Sequence, residues 1–337
     1  MAKRATVADV ARQAGVSVAT VDRVLNGRRR VRPATAEAVH TAAAEVGYHA
    51  APLLAMRARQ LVPYRKFGFV LQKESKEFYR GLADSLRSQT ADLTVCNATC
   101  VIRFVNELAA APIVQAMRDL ADEQVSSIGV VALEHPHIND ETKRLSRSGI
   151  PVWALLSSLS APEVAGYIGI DARKAGRTAA WGISKCARPG SGIGVLVGSH
   201  RYRSHDDREG GFRSFFRECA PEFQLLPSIS YLDNSAGAYE ATSELVTRYP
   251  ELGGLYIIGG GCSGAVRVLR EESTAPGIAV VCHELTPLTR DALIDGIADL
   301  VIQSPIEAIA EAAVRALAGI DPRPKPLEFR IWVSENI

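Results

Sequence analysis

Apolar positions in the first fifty residues recur with a helical period. Val7, Val10, Ala11 and Ala14 stand at i, i+3, i+4 and i+7, the spacing of one buried helix face. The run opens at Thr6-Val-Ala-Asp9, where the hydroxyl reaches the amide three residues on and the carboxylate reaches back. Gly15 ends it, because a chain leaving a helix favours positive φ. Ser17 is a second N-cap, and Val18, Val21, Val24 and Leu25 form the next stripe, broken at Asn26-Gly27. A third helix starts near Pro33, a residue suited to the first helical position, and stops near Val46, before Gly47-Tyr48. Three short helices with one tight turn predict a helix-turn-helix unit with Ser17–Asn26 as its second helix.

From Phe67 the pattern changes. Short apolar runs, among them Phe67–Leu71, Leu93–Cys96, Ile128–Leu133, Ile150–Leu155, Tyr167–Ile170, Ile193–Val197 and Leu255–Ile258, alternate with helical stretches such as Glu77–Ser88, Ile113–Glu123 and Arg173–Ile183. Two more runs follow, Ile278–Cys282 and Leu300–Gln303. Buried β-branched strands separated by helices predict parallel sheets with right-handed crossovers. So many strands suit two doubly wound α/β lobes better than one sheet.

Length supports this division, since 337 residues predict about two domains or one large and one small. No apolar run reaches the ~18 residues of a membrane span. The basic N-terminus has no apolar stretch behind it, so the chain is expected in the cytoplasm. Six scattered cysteines without a Cys-x-x-Cys pair read as reduced thiols, neither a disulfide framework nor a metal site. The net charge of +2 hides an asymmetry: residues 1–66 hold 12 Lys/Arg against 4 Asp/Glu, the remainder 27 against 33. A basic head on an acidic body suggests a polyanion partner. A solvated basic tail is the alternative, but a tail lacks hydrophobic periodicity. Arg23, Arg28, Arg29, Arg30 and Arg32 cluster where a phosphate backbone would pass the second helix.

Residues 6–27, Thr-Val-Ala-Asp-Val-Ala-Arg-Gln-Ala-Gly-Val-Ser-Val-Ala-Thr-Val-Asp-Arg-Val-Leu-Asn-Gly, resemble the lactose-repressor (LacI/GalR) type of bacterial transcription regulator. The likeness continues through Val31-Arg-Pro-Ala-Thr35 and Ala43-Ala-Glu-Val-Gly-Tyr48. The resemblance implies phosphate contacts from Thr6, Ser17 and Asn26, base-edge contacts from Val18 and Ala19, and a guanine contact from Arg23, whose fork matches O6 and N7. Asp22 departs from the family's usual Ser. It either accepts from a cytosine amine or pairs within the protein, with Arg12 or Arg28; the internal role is favoured.

Residues 49–66 stand where the family has a hinge helix that wedges a side chain into the minor groove. The usual Tyr-x-Pro-Asn-x-x-Ala-Arg-x-Leu is broken: Arg57 stands where Leu is expected, and Pro52 is displaced. A helix from Pro52 to Leu61 with Leu54, Met56 or Leu61 as wedge is one reading, a flexible tether the other.

The resemblance extends more loosely over the body and implies the two-lobed periplasmic-binding-protein-like fold with a small ligand, a sugar or polyol, between the lobes. Ile170-Asp171-Ala-Arg-Lys-Ala-Gly176 resembles Asp-x-x-x-Ala-Gly, and Arg208-Glu-Gly-Gly-Phe212 resembles the family's effector-binding Arg-x-x-Gly-Phe/Trp. Val281-Cys-His-Glu-Leu285 stands at a Tyr/Phe-Asp-Asp motif, with Glu284 for the ligand-binding Asp, and Gln303-Ser-Pro305 resembles Gln-x-Pro. An Arg fork donates to paired hydroxyl oxygens and a carboxylate accepts from adjacent hydroxyls. Candidate effector residues are Phe78, Asp171, Arg208, Cys262, Glu284 and Gln303. Each has a plainer reading: Asp171 as a helix cap, Arg208 paired with Asp206 or Glu209, Phe78 in the core, Glu284 solvated.

The expected organisation is a headpiece over 1–49, a hinge over 50–66 and an effector-binding and dimerisation domain over 67–337. Lobe 1 would take about 67–160 plus 304–326, and lobe 2 about 161–303. Gly259-Gly-Gly-Cys-Ser-Gly264 has dinucleotide spacing but no Lys-Ser/Thr and no well-placed acidic partner. His283 has no Gly-x-Ser-x-Gly elbow to serve. An enzyme without a DNA role, or a cytoplasmic sugar-binding protein, is the alternative. No catalytic residue, cofactor, metal or membrane is expected. The expected partners are a second copy of the chain, a pseudo-palindromic duplex operator and a small effector. No leucine heptad follows Ile331-Trp-Val-Ser334, so a homodimer is expected rather than a tetramer.

Overall fold

The computed structural model describes residues 5–26, 31–54, 63–271 and 277–337. Its contacts divide the chain into two units, Met1–Arg65 with Thr90–Thr99, and Lys66–Gln89 with Cys100–Ile337.

The first unit carries α1 (Val7–Gln13), α2 (Val18–Asn26) and α3 (Pro33–Glu45). The capping box at α1 is complete: Thr6 N donates to Asp9 Oδ2 at 2.9 Å, and Asp9 N donates to Thr6 Oγ1 at 3.4 Å. Gly15 turns the chain at φ +63°, and Ser17 Oγ accepts from Thr20 N at 3.2 Å to open α2. Val10, Ala11, Val21, Val24, Ala36, Val39, Ala42, Ala43 and Tyr48 close one small core. Residues 51–54 are helical, and Leu54 is fully buried in the same core. Leu54 is therefore not presented as a wedge here; its side chain completes the headpiece. Met56, Leu61 and most of the expected hinge helix lie outside the described residues, as does Arg30.

Apart from Tyr64–Arg65 and Asn97–Thr99, which are counted with the first unit, the second unit holds two sheets. The first has the order β2-β1-β3-β4-β5, from β1 (Tyr64–Gln72), β2 (Asn97–Val105), β3 (Ser127–Val130), β4 (Val152–Leu155) and β5 (Gly166–Ile168). β1 to β3, β3 to β4 and β4 to β5 are parallel. α4 (Glu77–Ala91), α5 (Ala110–Asp122) and α6 (Pro136–Arg147) are its crossovers. The second sheet is built from β6 (Gly192–Val197), β7 (Gln224–Leu225), β8 (Ile229–Ser230), β9 (Leu252–Ile258), β10 (Ala279–His283), β11 (Leu300–Gln303) and β12 (Arg330–Trp332). Its order is β12-β11-β10-β9-β6-β7, with β8 also on β6. Its helices are α7 (Ala172–Cys186), α8 (Arg203–Cys219), α9 (Ser235–Arg248), α10 (Cys262–Glu271) and α11 (Pro287–Ile294). β9 and β10 are buried throughout, as strands covered by helices on both faces must be.

The chain crosses from the first sheet to the second after β5, returns after β11 so that α12 (Ile306–Leu317) packs on β3, β4 and β5, and crosses again to lay down β12. Three details differ from the expectation. The run over 167–170 belongs to the first sheet, so the first crossing falls after Ile168 and not near 160. β12 is antiparallel to β11, an edge strand on an otherwise parallel sheet. The strand expected at Leu93–Cys96 begins at Asn97, because β2 is a half-exposed edge whose polar alternation hides it.

Candidate functional site

The headpiece presents one polar face. Val21 and Val24 of α2 point into the core, while Ser17, Val18, Ala19, Asp22, Arg23 and Asn26 are exposed. Val18 is 51% exposed, an apolar side chain left in water at the start of the helix. Arg23 Nε donates to the carbonyl of Ala19 at 3.1 Å, parking the guanidinium along the helix. Asp22 Oδ1 accepts from Asn26 Nδ2 at 2.7 Å. Arg12 pairs with Asp9 instead and Arg28 lies outside the described residues; among those residues the internal partner of Asp22 is Asn26. Thr6 is exposed, in the cap of α1.

The larger unit encloses a cleft of about 310 Å³ between its two sheets. The carboxyl ends of the strands supply it, as expected for open α/β sheets. Gln72, Lys73 and Phe78 follow β1; Leu156 and Ser157 follow β4; Tyr202 and His205 follow β6. Asp233 follows β8, Gly259–Cys262 follow β9, His283 and Glu284 close β10, and Ser304 follows β11.

The lobes touch across this cleft. Lys73 Nζ donates to the carbonyl of Asp233 at 2.8 Å, and Ser204 N donates to Ser157 Oγ at 3.2 Å. Glu134 N donates to the carbonyl of Arg201 at 2.6 Å, and Arg201 Nη1 donates to that of Leu108 at 2.9 Å. Tyr202, from the second lobe, is buried among core residues of the first, beside Leu133 and Leu159, and also lines the cleft.

Arg208 is 8% exposed, and its Nε has no hydrogen-bond partner among the described residues. The suggested surface partners are taken: Asp206 by His200 at 2.8 Å, Glu209 by Arg213 at 2.6 Å. Arg208 reaches the cleft because α7 and α8 meet backbone to backbone. A Cβ at Gly176 would lie 1.9 Å from the carbonyl oxygen of Arg208, and one at Gly211 would lie 2.1 Å from that of Arg173. The glycines in both sequence motifs thus serve close helix packing.

Glu284 accepts from Ser304 N at 2.9 Å and Ser304 Oγ at 2.7 Å. Burial pushes its carboxyl upward, opposed by Arg208 and the Ser304 bonds. Asp233 Oδ1 accepts from Gly260 N at 2.8 Å, and burial pushes this carboxyl up too. His283 Nε2 lies 2.7 Å from Tyr256 Oη, while its buried Nδ1 has no partner among the described residues. Burial holds its imidazole neutral.

His205 is pushed down to about 3 by burial first and Arg208 second. The unfolded chain therefore takes up the proton at higher pH than the folded one. The resulting stability is full above pH 6.5 and is lost as pH falls from 6.5 towards 3. A His205→Asn variant should lose thermal stability less steeply than the parent between pH 6.5 and 4; parallel slopes would refute the assignment.

Of the candidate effector residues, the structure brings Phe78, Arg208, Cys262 and Glu284 into the cleft. It does not bring Asp171 or Gln303. Asp171 Oδ1 caps α7, accepting from Lys174 N at 2.9 Å, and Gln303 Oε1 accepts from Trp332 Nε1 at 2.6 Å. Lys73, Ser157, Tyr202, His205, Asp233 and Ser304 were missed. The strand-end rule alone finds Lys73 and Ser157, but β8 is two residues long and leaves no apolar run to flag Asp233. Among the described residues no group of three or more His, Cys, Asp or Glu is placed to hold a metal, and no helix is long and apolar enough to cross a membrane.

The family described as periplasmic binding protein domain matches residues 67–320. The chain belongs to that family. Ahead of it, residues 6–51 match the bacterial regulatory proteins, lacI family, so a lacI-type helix-turn-helix domain precedes the periplasmic binding domain. The HTH-type transcriptional repressor PurR of Vibrio atlanticus (strain LGP32) is 36% identical over 97 residues, 28% of either chain. The maltose regulon regulatory protein MalI of Escherichia coli (strain K12) is 37% identical over 97 residues, 26% of either chain. The aligned stretch thus spans little more than a quarter of these curated relatives. An ABC transporter solute-binding protein from Agrobacterium vitis, solved with alpha-D-tagatopyranose, has a TM-score of 0.74 at 16% identity, covering 81% of this chain and 95% of that one. Such a likeness shows the fold of the two lobes.

Proposed function

We propose that this chain is a sequence-specific DNA-binding transcriptional regulator, a repressor, whose operator affinity is set by a small metabolite held between the lobes. The observation that carries the reading is the exposed α2 face of Ser17, Val18, Ala19, Asp22, Arg23 and Asn26 above the buried Val21 and Val24. A helix with this face enters a major groove without disturbing its own core. Two copies of the chain would place two such helices on a pseudo-palindromic operator in the cytoplasm. Thr6, Ser17 and Asn26 would hold phosphates, Val18 and Ala19 would meet base edges, and Arg23 would reach a guanine. The relatives named as repressors support the direction of control.

The cleft supports a sugar- or polyol-sized effector. Arg208 supplies donors, Asp233 and Glu284 supply acceptors, and Phe78, Leu156 and Tyr202 supply apolar faces. The effector shifts operator binding only through its different affinity for DNA-competent and incompetent lobe arrangements. Binding without turnover is the reading, so no residue here is assigned catalysis.

Arg23→Ala tests the headpiece assignment. It should relax discrimination at one base pair by about 1–3 kcal/mol while leaving other positions unchanged. An equal loss on every sequence, measured by competition with single-substituted duplexes, would exclude a base contact.

A further inference from the structure

The cleft holds a guanidinium without a direct ion pair, although the Asp233 and Glu284 carboxylates line the same cleft and feel its charge. Arg208 is nearly buried, and among the described residues no carboxylate lies within ion-pair distance of it. Four carboxylates around it hold other groups. Asp206 holds His200, Glu209 holds Arg213, both Glu284 oxygens hold Ser304, and Asp233 Oδ1 holds the Gly260 amide. A buried guanidinium left in this state costs free energy, and buried charges are ordinarily paired.

A second donor, on His283, belongs to the lining of the same cleft. The buried Tyr256 hydroxyl has one hydrogen-bond partner among the described residues, His283 Nε2. The hydroxyl hydrogen is satisfied only if Tyr256 donates, which places the imidazole proton on Nδ1. That N–H and the Nε–H of Arg208 are both buried donors without acceptors.

We propose that the effector carries one carboxylate, as in an aldonic or uronic acid, and that this carboxylate is the counter-ion of Arg208. The inference rests on the cleft being the effector site. A neutral sugar offers hydroxyl oxygens but leaves the guanidinium without an ion pair. A carboxylate matches the Arg fork with two parallel hydrogen bonds. Of the other two cations that line the cleft, Lys73 is engaged by the Asp233 carbonyl and Lys76 interacts with the Asp233 charge, so one carboxylate is assigned, to Arg208. The remaining lining is that of a polyol site: Phe78, Tyr202 and Leu288 for a carbon face, and Ser157 and Asp233 for hydroxyls. A volume of about 310 Å³ suits a single monosaccharide.

The test is calorimetric titration of the full chain with D-gluconate and D-galacturonate against D-glucose, D-galactose and D-glucitol. Glucose 6-phosphate and acetate are the further arms. At least one acid should bind ten-fold or more tighter than its neutral counterpart, and Arg208→Gln should bring that acid down to the neutral level. Arg208→Lys, which keeps the charge and loses the fork, should fall between. Equal affinity for acid and neutral sugar, tighter binding of the phosphate, acetate matching the acids, or no binding by either acid would each overturn the proposal. A neutral sugar that binds and alters operator affinity leaves the effector reading standing. A bound ligand that leaves operator affinity unchanged removes that reading as well.

Discussion

Gly176→Ala should cost about 3 kcal/mol of stability, the upper part of the range for overpacking between rigid elements. The added methyl would stand 1.9 Å from the Arg208 carbonyl oxygen, where no side-chain rotation can relieve it. Backbone faces backbone, so α7 and α8 must separate, and Arg208 leaves its place in the cleft with α8. At roughly 2–4 °C per kcal/mol for a domain of this size, the melting point should fall by about 6–12 °C. Effector binding should fall with it. Gly81→Ala is the control. It lies in α4, its Cβ would meet Ile306 Cδ1 at an ordinary 3.6 Å, and a helical glycine gains about 0.5–1 kcal/mol on replacement by alanine. Thermal unfolding that leaves Gly176→Ala within 2 °C of the parent would show that the helix contact is looser than the structure has it.

Arg208→Ala should abolish the effector response while leaving operator binding and folding intact. The guanidinium has no ion pair to lose, and its Nε–H is unsatisfied, so truncation removes a desolvated charge at little cost. This separates it from Gly176→Ala, which damages fold and site together. Operator release by a titrated effector is the readout. An unchanged release curve would take Arg208 out of the site.

Much of the fold is legible in the chain because burial writes itself as period. The capping box at Thr6–Asp9, the Gly15 turn and the Pro33 start are local chemistry, and each element forms where its residues say. Strands buried on both faces, such as β9 and β10, read as continuous apolar runs. The half-exposed β2 and the short β8 do not, since edge position and length weaken the same signal. The site was harder to read for a related reason. Resemblance located Arg208 and Glu284, whose motifs are contiguous. It also nominated Asp171, which the structure uses as a cap, and Gln303, which holds Trp332; a motif marks a local geometry, and that geometry need not face the ligand. Tyr202 and Asp233 are brought to the cleft by lobe packing, which no window of sequence contains. Leu54 shows the same limit in the headpiece: an apolar residue past the third helix reads as a wedge until its neighbours are known, and they put it in the core.

The central claim is that the headpiece recognises a duplex sequence. Its most direct test is titration of the full chain on its own upstream DNA, at fixed salt, against an unrelated duplex of equal length. The account predicts tighter binding to a site within the upstream region by roughly 10³-fold or more, the range that separates specific from nonspecific complexes. Equal affinity for the two duplexes would contradict it.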